Sequence, residues 1–414
     1  MGKVRLSANE RSRVEVLLKV QAGQLSQRAA AEAVGVSYRQ LKRVYARFLE
    51  EGVEGLAHRL RTQTSNHRVE VSKRARIVEL YQSKYSDFGP TLASEYLLRE
   101  DQERVSEETL RQWLITAGLW QAKQRGARHR QWRERRAHWG ELLQMDGSNH
   151  DWFEGRRGKA SLMVMIDDAT NWTHAKFFES ESTESAMKIF WEYVDLYGLP
   201  RALYVDRAAI YITTRDATTD ETLRNTEPLT QFGRSMQALG VALICAHSPQ
   251  AKGRVERRHR VFQDRLVKEL RLKTLSDLAA ANRFLDEEFL DLMNAKFSVT
   301  AREPTDLHRS LPRGVKLAHV LCYQEERVVN PDWTVSWCNR ILQVAERHQK
   351  LTLVKKKILV SELLDGRLRL TFKNQELTWQ ELPARPTPPS QKKPPQPTST
   401  PPHKPAANHP WRSS

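Results

Sequence analysis

The chain has 414 residues, enough for two to four domains each with its own core, and its 39% hydrophobic content is that of an ordinary globular protein. Sixty-seven Lys and Arg residues against 50 Asp and Glu leave a formal charge of +17, which favours a polyanionic partner such as nucleic acid. No apolar run approaches the roughly 20 residues needed to span a bilayer, and the N-terminus lacks the apolar stretch of a signal peptide, so no membrane partner and a cytoplasmic location are expected. The three cysteines, Cys245, Cys322 and Cys338, form no Cys-x-x-Cys pair and read as reduced thiols rather than zinc ligands.

In chain order, residues 1–60 read as a helix-turn-helix domain. After an amphipathic stretch from Glu10 to Gln21, Ser26 can cap a helix from Gln27 to Val34, Gly35 supplies the turn, and Ser37 caps a second helix to about Glu50. Leu41, Val44 and Phe48 fall at i, i+3 and i+7 and share one buried face. Burial there leaves Tyr38, Arg39, Gln40, Lys42 and Arg43 exposed, where a recognition helix meets the major groove of double-stranded DNA; a plain helical hairpin is the alternative. Residues 69–120 repeat the theme, with helices at Ser72 to Tyr85, Thr91 to Arg99 and one capped by Ser106, on which Arg111 and Gln112 could reach DNA, a plain αα packing module being the alternative. Residues 121–138 form a basic linker whose density, Arg128 and Arg130 included, suits a phosphate backbone as well as a solvated joint.

At about residue 139 the pattern changes to that of an α/β domain reaching residue 300. Strands are predicted at Leu142 to Met145, Ser161 to Ile166, Thr173 to Phe178, Ala202 to Val205 and Val241 to Ala246. Helices are predicted from Thr183 to Tyr197 and from Lys252 to Leu272, with Thr-rich sequence from Thr213 to Thr230 as a loop. That order fits a mixed sheet flanked by helices. Residues 301–383 read as short strands of a small β-barrel. Residues 384–414 carry most of a Pro-rich tail: 11 of the 18 prolines lie from Pro383 onward, too polar a stretch to bury a core and expected to be disordered.

Three acids stand where a sheet can aim them at one point. Asp146 closes the first predicted strand in LLQMDGS, Asp206 closes a later one in ALYVDRA, and Glu256 lies early in the helix opened by SPQAKGRVERRH. Three clustered carboxylates repel one another unless a cation lies between them, and hard oxygen donors favour Mg²⁺ or Mn²⁺. Two such ions about 4 Å apart can drive in-line phosphoryl displacement. Val255, His259, Phe262, Leu266 and Leu270 form one inward stripe of the last helix with Glu256 at its edge. Lys252 opens that helix, and Arg254, Arg257, Arg258, Arg260 and Arg265 are expected to face DNA phosphates. The Asp167–Asp168 pair reads as turn residues of a hairpin.

QMDGSNHDWFEG, the following IDDAT and SPQAKGRVERRHRVFQDRL resemble the signatures of DDE transposases of the retroviral-integrase, RNase H-like superfamily, closest to bacterial insertion-sequence transposases of the ISNCY group. The resemblance covers most of the chain. It implies Asp146, Asp206 and Glu256 as ligands of two catalytic ions, helix-turn-helix modules that bind terminal inverted repeats, a β-rich C-terminal domain, and a nucleoid-associated protein that acts on element ends and target DNA. Asp206 is followed by Arg207, Ala208 and Ala209 rather than the more polar turn of the family. A catalytically inactive DNA-binding regulator and a nuclease that cuts without joining are the other readings. Holding two ends together implies a homo-oligomer on DNA.

Overall fold

The computed structural model describes residues 7–56, 69–121, 134–217, 219–223, 227–245 and 253–383. The chain divides into two compact units, residues 1–125 and 126–414. Arg128, Arg130 and Lys252, singled out above, lie outside the described residues, as does the Pro-rich tail.

In the first unit, helices α1 (Ala8–Gln21), α2 (Gln27–Val34) and α3 (Tyr38–Glu51) pack around Leu17, Ala30, Ala31, Leu41, Val44 and Phe48. The expected caps are present. The Ser26 and Ser37 hydroxyls accept from the Ala29 and Gln40 amides, and Gly35 takes the left-handed conformation, φ 71°, that a side chain would oppose. Helices α4 (Val71–Lys84), α5 (Pro90–Arg99) and α6 (Glu107–Thr116) form a second cluster around Tyr81, Phe88, Leu97, Leu110 and Leu114, with Ser106 accepting from the Thr109 amide.

The second unit opens with strands β1 (Leu143–His150), β2 (Ala160–Asp167) and β3 (Thr173–Phe178), followed by α7 (Thr183–Tyr197) and β4 (Ala202–Val205). A short helix α8 (Thr219–Leu223) lies within the Thr-rich stretch that the sequence suggested was all loop. Then come α9 (Gln231–Leu239), β5 (Ala242–Cys245), α10 (Gly253–Leu272), α11 (Leu278–Phe284) and α12 (Leu290–Phe297). The strands form one mixed sheet ordered β3-β2-β1-β4-β5: β1, β2 and β3 pair antiparallel, and β1, β4 and β5 pair parallel.

Both faces of this sheet are covered, which is why all eight residues of β2 are buried. Met145, Met163 and Met165 pack against α7 and α9, while Leu162, Val164 and Ile166 pack against α10, α11 and α12. Residues on β1 therefore alternate between the two helical layers, and Gln144 and Asp146 face the α10 side.

After α13 (Leu317–Val320) come β6 (Cys322–Val328), β7 (Thr334–Trp337), β8 (Arg340–Val344), β9 (Lys357–Leu363), β10 (Leu368–Phe372), β11 (Gln375–Leu377) and β12 (Trp379–Leu382). The expected closed barrel is not seen. These strands split into a four-stranded sheet, β11-β10-β9-β6, and a three-stranded one, β12-β8-β7, that share one core around Val335, Leu342, Val360 and Leu370. Gln231 of α9 exchanges two hydrogen bonds with the Gln324 backbone of β6, at 2.8 and 2.9 Å, tying this region to the mixed sheet.

Candidate active site

Asp146 does not close its strand, as its position in LLQMDGS suggested. Strand β1 continues to His150, paired throughout with β2, because the unbroken apolar run of β2 offers a partner even to the polar sequence GSNH. What does end near Asp146 is the parallel pairing with β4, in which Leu143 lies beside Leu203 and Gln144 beside Tyr204. Continuing that register by two residues sets Asp146 next to Asp206, on strands that lie about 4.8 Å apart in any sheet. Both are half-buried at the C-terminal end of the parallel pair.

Helix α10 supplies the third acid. Its stripe of Val255, His259, Phe262, Leu266 and Leu270 is buried as predicted. The His259 Nε2 lies 3.4 Å from Asp146 Oδ2, and Glu256, three residues earlier, shares that face of the helix and is half-buried. The His259 contact is invisible in the sequence, where the residue reads only as part of an apolar stripe.

Among the described residues, no group of three or more His, Cys, Asp or Glu side chains is already gathered at metal-binding distance. One Asp206 oxygen accepts from the Ala208 amide at 2.9 Å, a bond made by the residues that replace the family's polar turn. The donor chemistry fits a hard divalent cation all the same: an oxygen donor within β1 and another directly after the neighbouring β4, with a helix bearing a third.

Two more residues border these acids. An ideal Cβ built at Gly147 would lie 2.4 Å from the Glu181 carboxyl, so that side chain occupies the space that glycine leaves on the other face of β1. Tyr211 is buried, and its hydroxyl has no hydrogen-bond partner among the described residues. Burial first, then the charges of Glu181, Asp206 and Asp146, push its phenol well above the usual value. The only sequence hint was the small residue directly after Asp146.

The α10 arginines divide. Arg257 and Arg260 are exposed, as expected. Arg254 is not turned outward: its Nε donates to the buried Asp168 at 2.8 Å. Arg258 and Arg265 are also buried, their guanidinium groups 5.2 and 5.6 Å from the ring of Phe297, and burial pulls the Arg258 pKa down to about 10. The helix is wrapped by α11 and α12 as well as the sheet, so more than one stripe of it is covered.

On α3, Tyr38, Arg39, Gln40, Lys42 and Arg43 are exposed together, with the Lys42 ammonium 5.1 Å from the Tyr38 ring centre. On α6, Arg111 makes two hydrogen bonds to Glu108, at 2.6 and 2.7 Å, and Gln112 adds a third at 2.8 Å. These bonds pull Glu108 down to about 2. Such exposed pairs are weak and can open to a phosphate. No helix among the described residues is long and apolar enough to cross a membrane.

Residues 12–63 match a helix-turn-helix domain family and residues 40–114 a homeodomain-like domain family. Among solved structures, the HTLV-2 integrase catalytic core domain in complex with magnesium aligns with 35% of this chain and 82% of its own, at 15% identity and a TM-score of 0.28. A simian T-cell lymphotropic virus intasome in complex with the PP2A regulatory subunit B56 gamma aligns with 74% of this chain and 100% of its own, at 11% identity and a TM-score of 0.32. The transposase for insertion sequence IS1202 of Streptococcus pneumoniae is 25% identical over 90% of this chain and 86% of its own. The protein y4bF of Sinorhizobium fredii, described as a transposase, is 36% identical over 92% of this chain and 82% of its own. At that identity and over that length, the chain belongs to the transposase family.

Proposed function

We propose that this transposase binds the terminal inverted repeats of its element through residues 1 to about 120, and cleaves and joins DNA through Asp146, Asp206 and Glu256. The observation that carries the reading is the parallel register of β1 and β4, which brings two aspartates side by side beneath the helix that bears the glutamate. Two Mg²⁺ or Mn²⁺ ions held by these carboxylates would activate a water or 3′-hydroxyl and stabilise the leaving oxygen of an in-line displacement.

The protein's own part is positional. Asp146 pairs with Val164 of β2, Asp206 directly follows β4, and His259 borders Asp146 on the side of α10. Arg257 and Arg260, exposed on the same helix, supply charge for DNA phosphates next to the acids, and the exposed set on α3 supplies groove and phosphate contacts for the element ends. Target DNA would approach the same C-terminal end of the parallel strand pair. Concerted joining of two ends calls for two or more copies of the chain.

The test uses linear duplexes from the DNA flanking the coding sequence, incubated with wild type, Asp206→Asn and Glu256→Gln in Mg²⁺ or Mn²⁺. Wild type should cut and join, and each variant should bind equally well while losing at least about a hundredfold in cleavage. Wild-type protein that binds these duplexes and never cuts them would establish a DNA-binding regulator instead; cutting without joined product would establish a nuclease.

A further inference from the structure

Helix α10 begins at Gly253, and the amide groups of its first turn need partners from outside the helix. The Val255 amide finds one in Gln144 Oε1, 3.3 Å away on β1. The same side-chain amide donates through Nε2 to Asp168 Oδ1 at 2.8 Å, and that oxygen also accepts from Arg254 Nε at 2.8 Å. The other Asp168 oxygen accepts from the Arg136 amide at 2.9 Å. Gln144 and Asp168 are both fully buried, and the Arg254 side chain is 16% exposed.

A turn residue has no need of such a setting, and Asp167 already does the turn's work by accepting from the Thr170 amide and hydroxyl at 2.7 and 2.8 Å. A buried ion pair contributes little net stability against an apolar replacement, but its donors and acceptors must meet in defined directions. Here those directions join three segments. Gln144 precedes Asp146 by two residues on the same face of β1, Arg254 and Val255 directly precede Glu256, and Asp168 follows the end of β2.

We infer that Asp168, Gln144 and Arg254 form a brace that sets Glu256 at its working distance from Asp146. They are positioning residues, and the inference rests on the reading of Glu256 as a metal ligand. Partners that orient ligands in this way change metal affinity about 10- to 100-fold when removed.

The experiment measures Mn²⁺ binding to the full chain without DNA, by electron paramagnetic resonance, with thermal melting as the control for folding. Arg254→Gln and Asp168→Asn should each weaken Mn²⁺ binding about 10- to 100-fold. The double variant should be no worse than the weaker single one, because both remove the same contact. Arg254→Lys, which keeps the charge beside Asp168, should recover part of the affinity. Should Asp168→Asn not fold, the Arg254 pair decides, since that side chain keeps some exposure where Asp168 has none. Folded Arg254→Gln that binds Mn²⁺ as wild type does overturns the brace. Glu256→Gln separates the two ideas: if it abolishes binding while Arg254→Gln does not, only the brace fails, and if it too binds normally, the assignment of Glu256 has failed and the brace with it.

Discussion

Gly147→Ala is a test of how tightly the strand beside Asp146 is packed. The new methyl carbon would lie 2.4 Å from the Glu181 carboxyl carbon and Oε2, and 2.9 Å from Oε1. Ordinary contact begins near 3.5 Å, so the carboxylate must retreat by about 1 Å. It is the far end of a flexible side chain, and an off-rotamer shift costs about 0.5–1.5 kcal/mol. Replacing a strand glycine by alanine returns about 0.5–1 kcal/mol. The two nearly cancel, so stability should change by less than about 1 kcal/mol and the melting temperature by only a few degrees.

The effect of Gly147→Ala should appear in chemistry instead. Glu181 lies against Gly147, directly after Asp146, and a displacement of about 1 Å near reacting groups can lower rates by roughly tenfold to a hundredfold. Single-turnover cleavage of end duplexes is the assay, run in the Gly147→Ala, Glu181→Ala and doubly substituted chains. With Glu181 shortened to a methyl group, the three atoms nearest the alanine at 147 are gone, so the double variant should match Glu181→Ala alone. A rate defect from Gly147→Ala that adds in full to that of Glu181→Ala would refute the reasoning, as would wild-type cleavage by a folded Gly147→Ala protein.

Two further outcomes follow from the first unit. Arg39→Ala combined with Arg43→Ala should weaken end binding and lower the slope of log affinity against log salt by about 0.9 for each phosphate contact removed, read by fluorescence anisotropy; an unchanged slope would argue that α3 does not meet the backbone. Asp101 is raised by burial but lowered more by its bonds to Lys84 and Tyr85, the latter at 2.7 Å, so its carboxyl titrates below the usual 3.8. Its stabilisation is therefore complete above that value and is lost as pH falls through the depressed one. Asp101→Asn should cost the α4–α6 cluster about 1–2 kcal/mol at neutral pH, seen as faster amide hydrogen exchange there, and the gap from wild type should close in acid; a gap independent of pH would rule this out.

Much of this protein can be read from its sequence because much of it is local. The caps at Ser26, Ser37 and Ser106, the turn at Gly35 and the buried stripe from Val255 to Leu270 depend on residues a few positions apart, so composition and period suffice. The family membership accords with the resemblance carried by the motifs around Asp146, Asp206 and Glu256.

Other features depended on pairing between distant segments. Strand β1 runs past Asp146 because β2 accepts it, although its own apolar run stops at Met145. Helical phase sets Arg258 and Arg265 beside the buried stripe, three residues after Val255 and Phe262, and Arg257 and Arg260 opposite it, but Arg254, Arg258 and Arg265 face inward only because Asp168, Asn171 and Phe297 arrive from elsewhere in the chain. The partition of the C-terminal strands into two sheets was likewise a matter of non-local partners. Local capping and periodicity determined the helices of the first unit, α7 and α10, and which side chains could serve the chemistry; only the tertiary structure decided which of those charges stayed at the surface, because burial belongs to the partner a residue meets rather than to the residue itself.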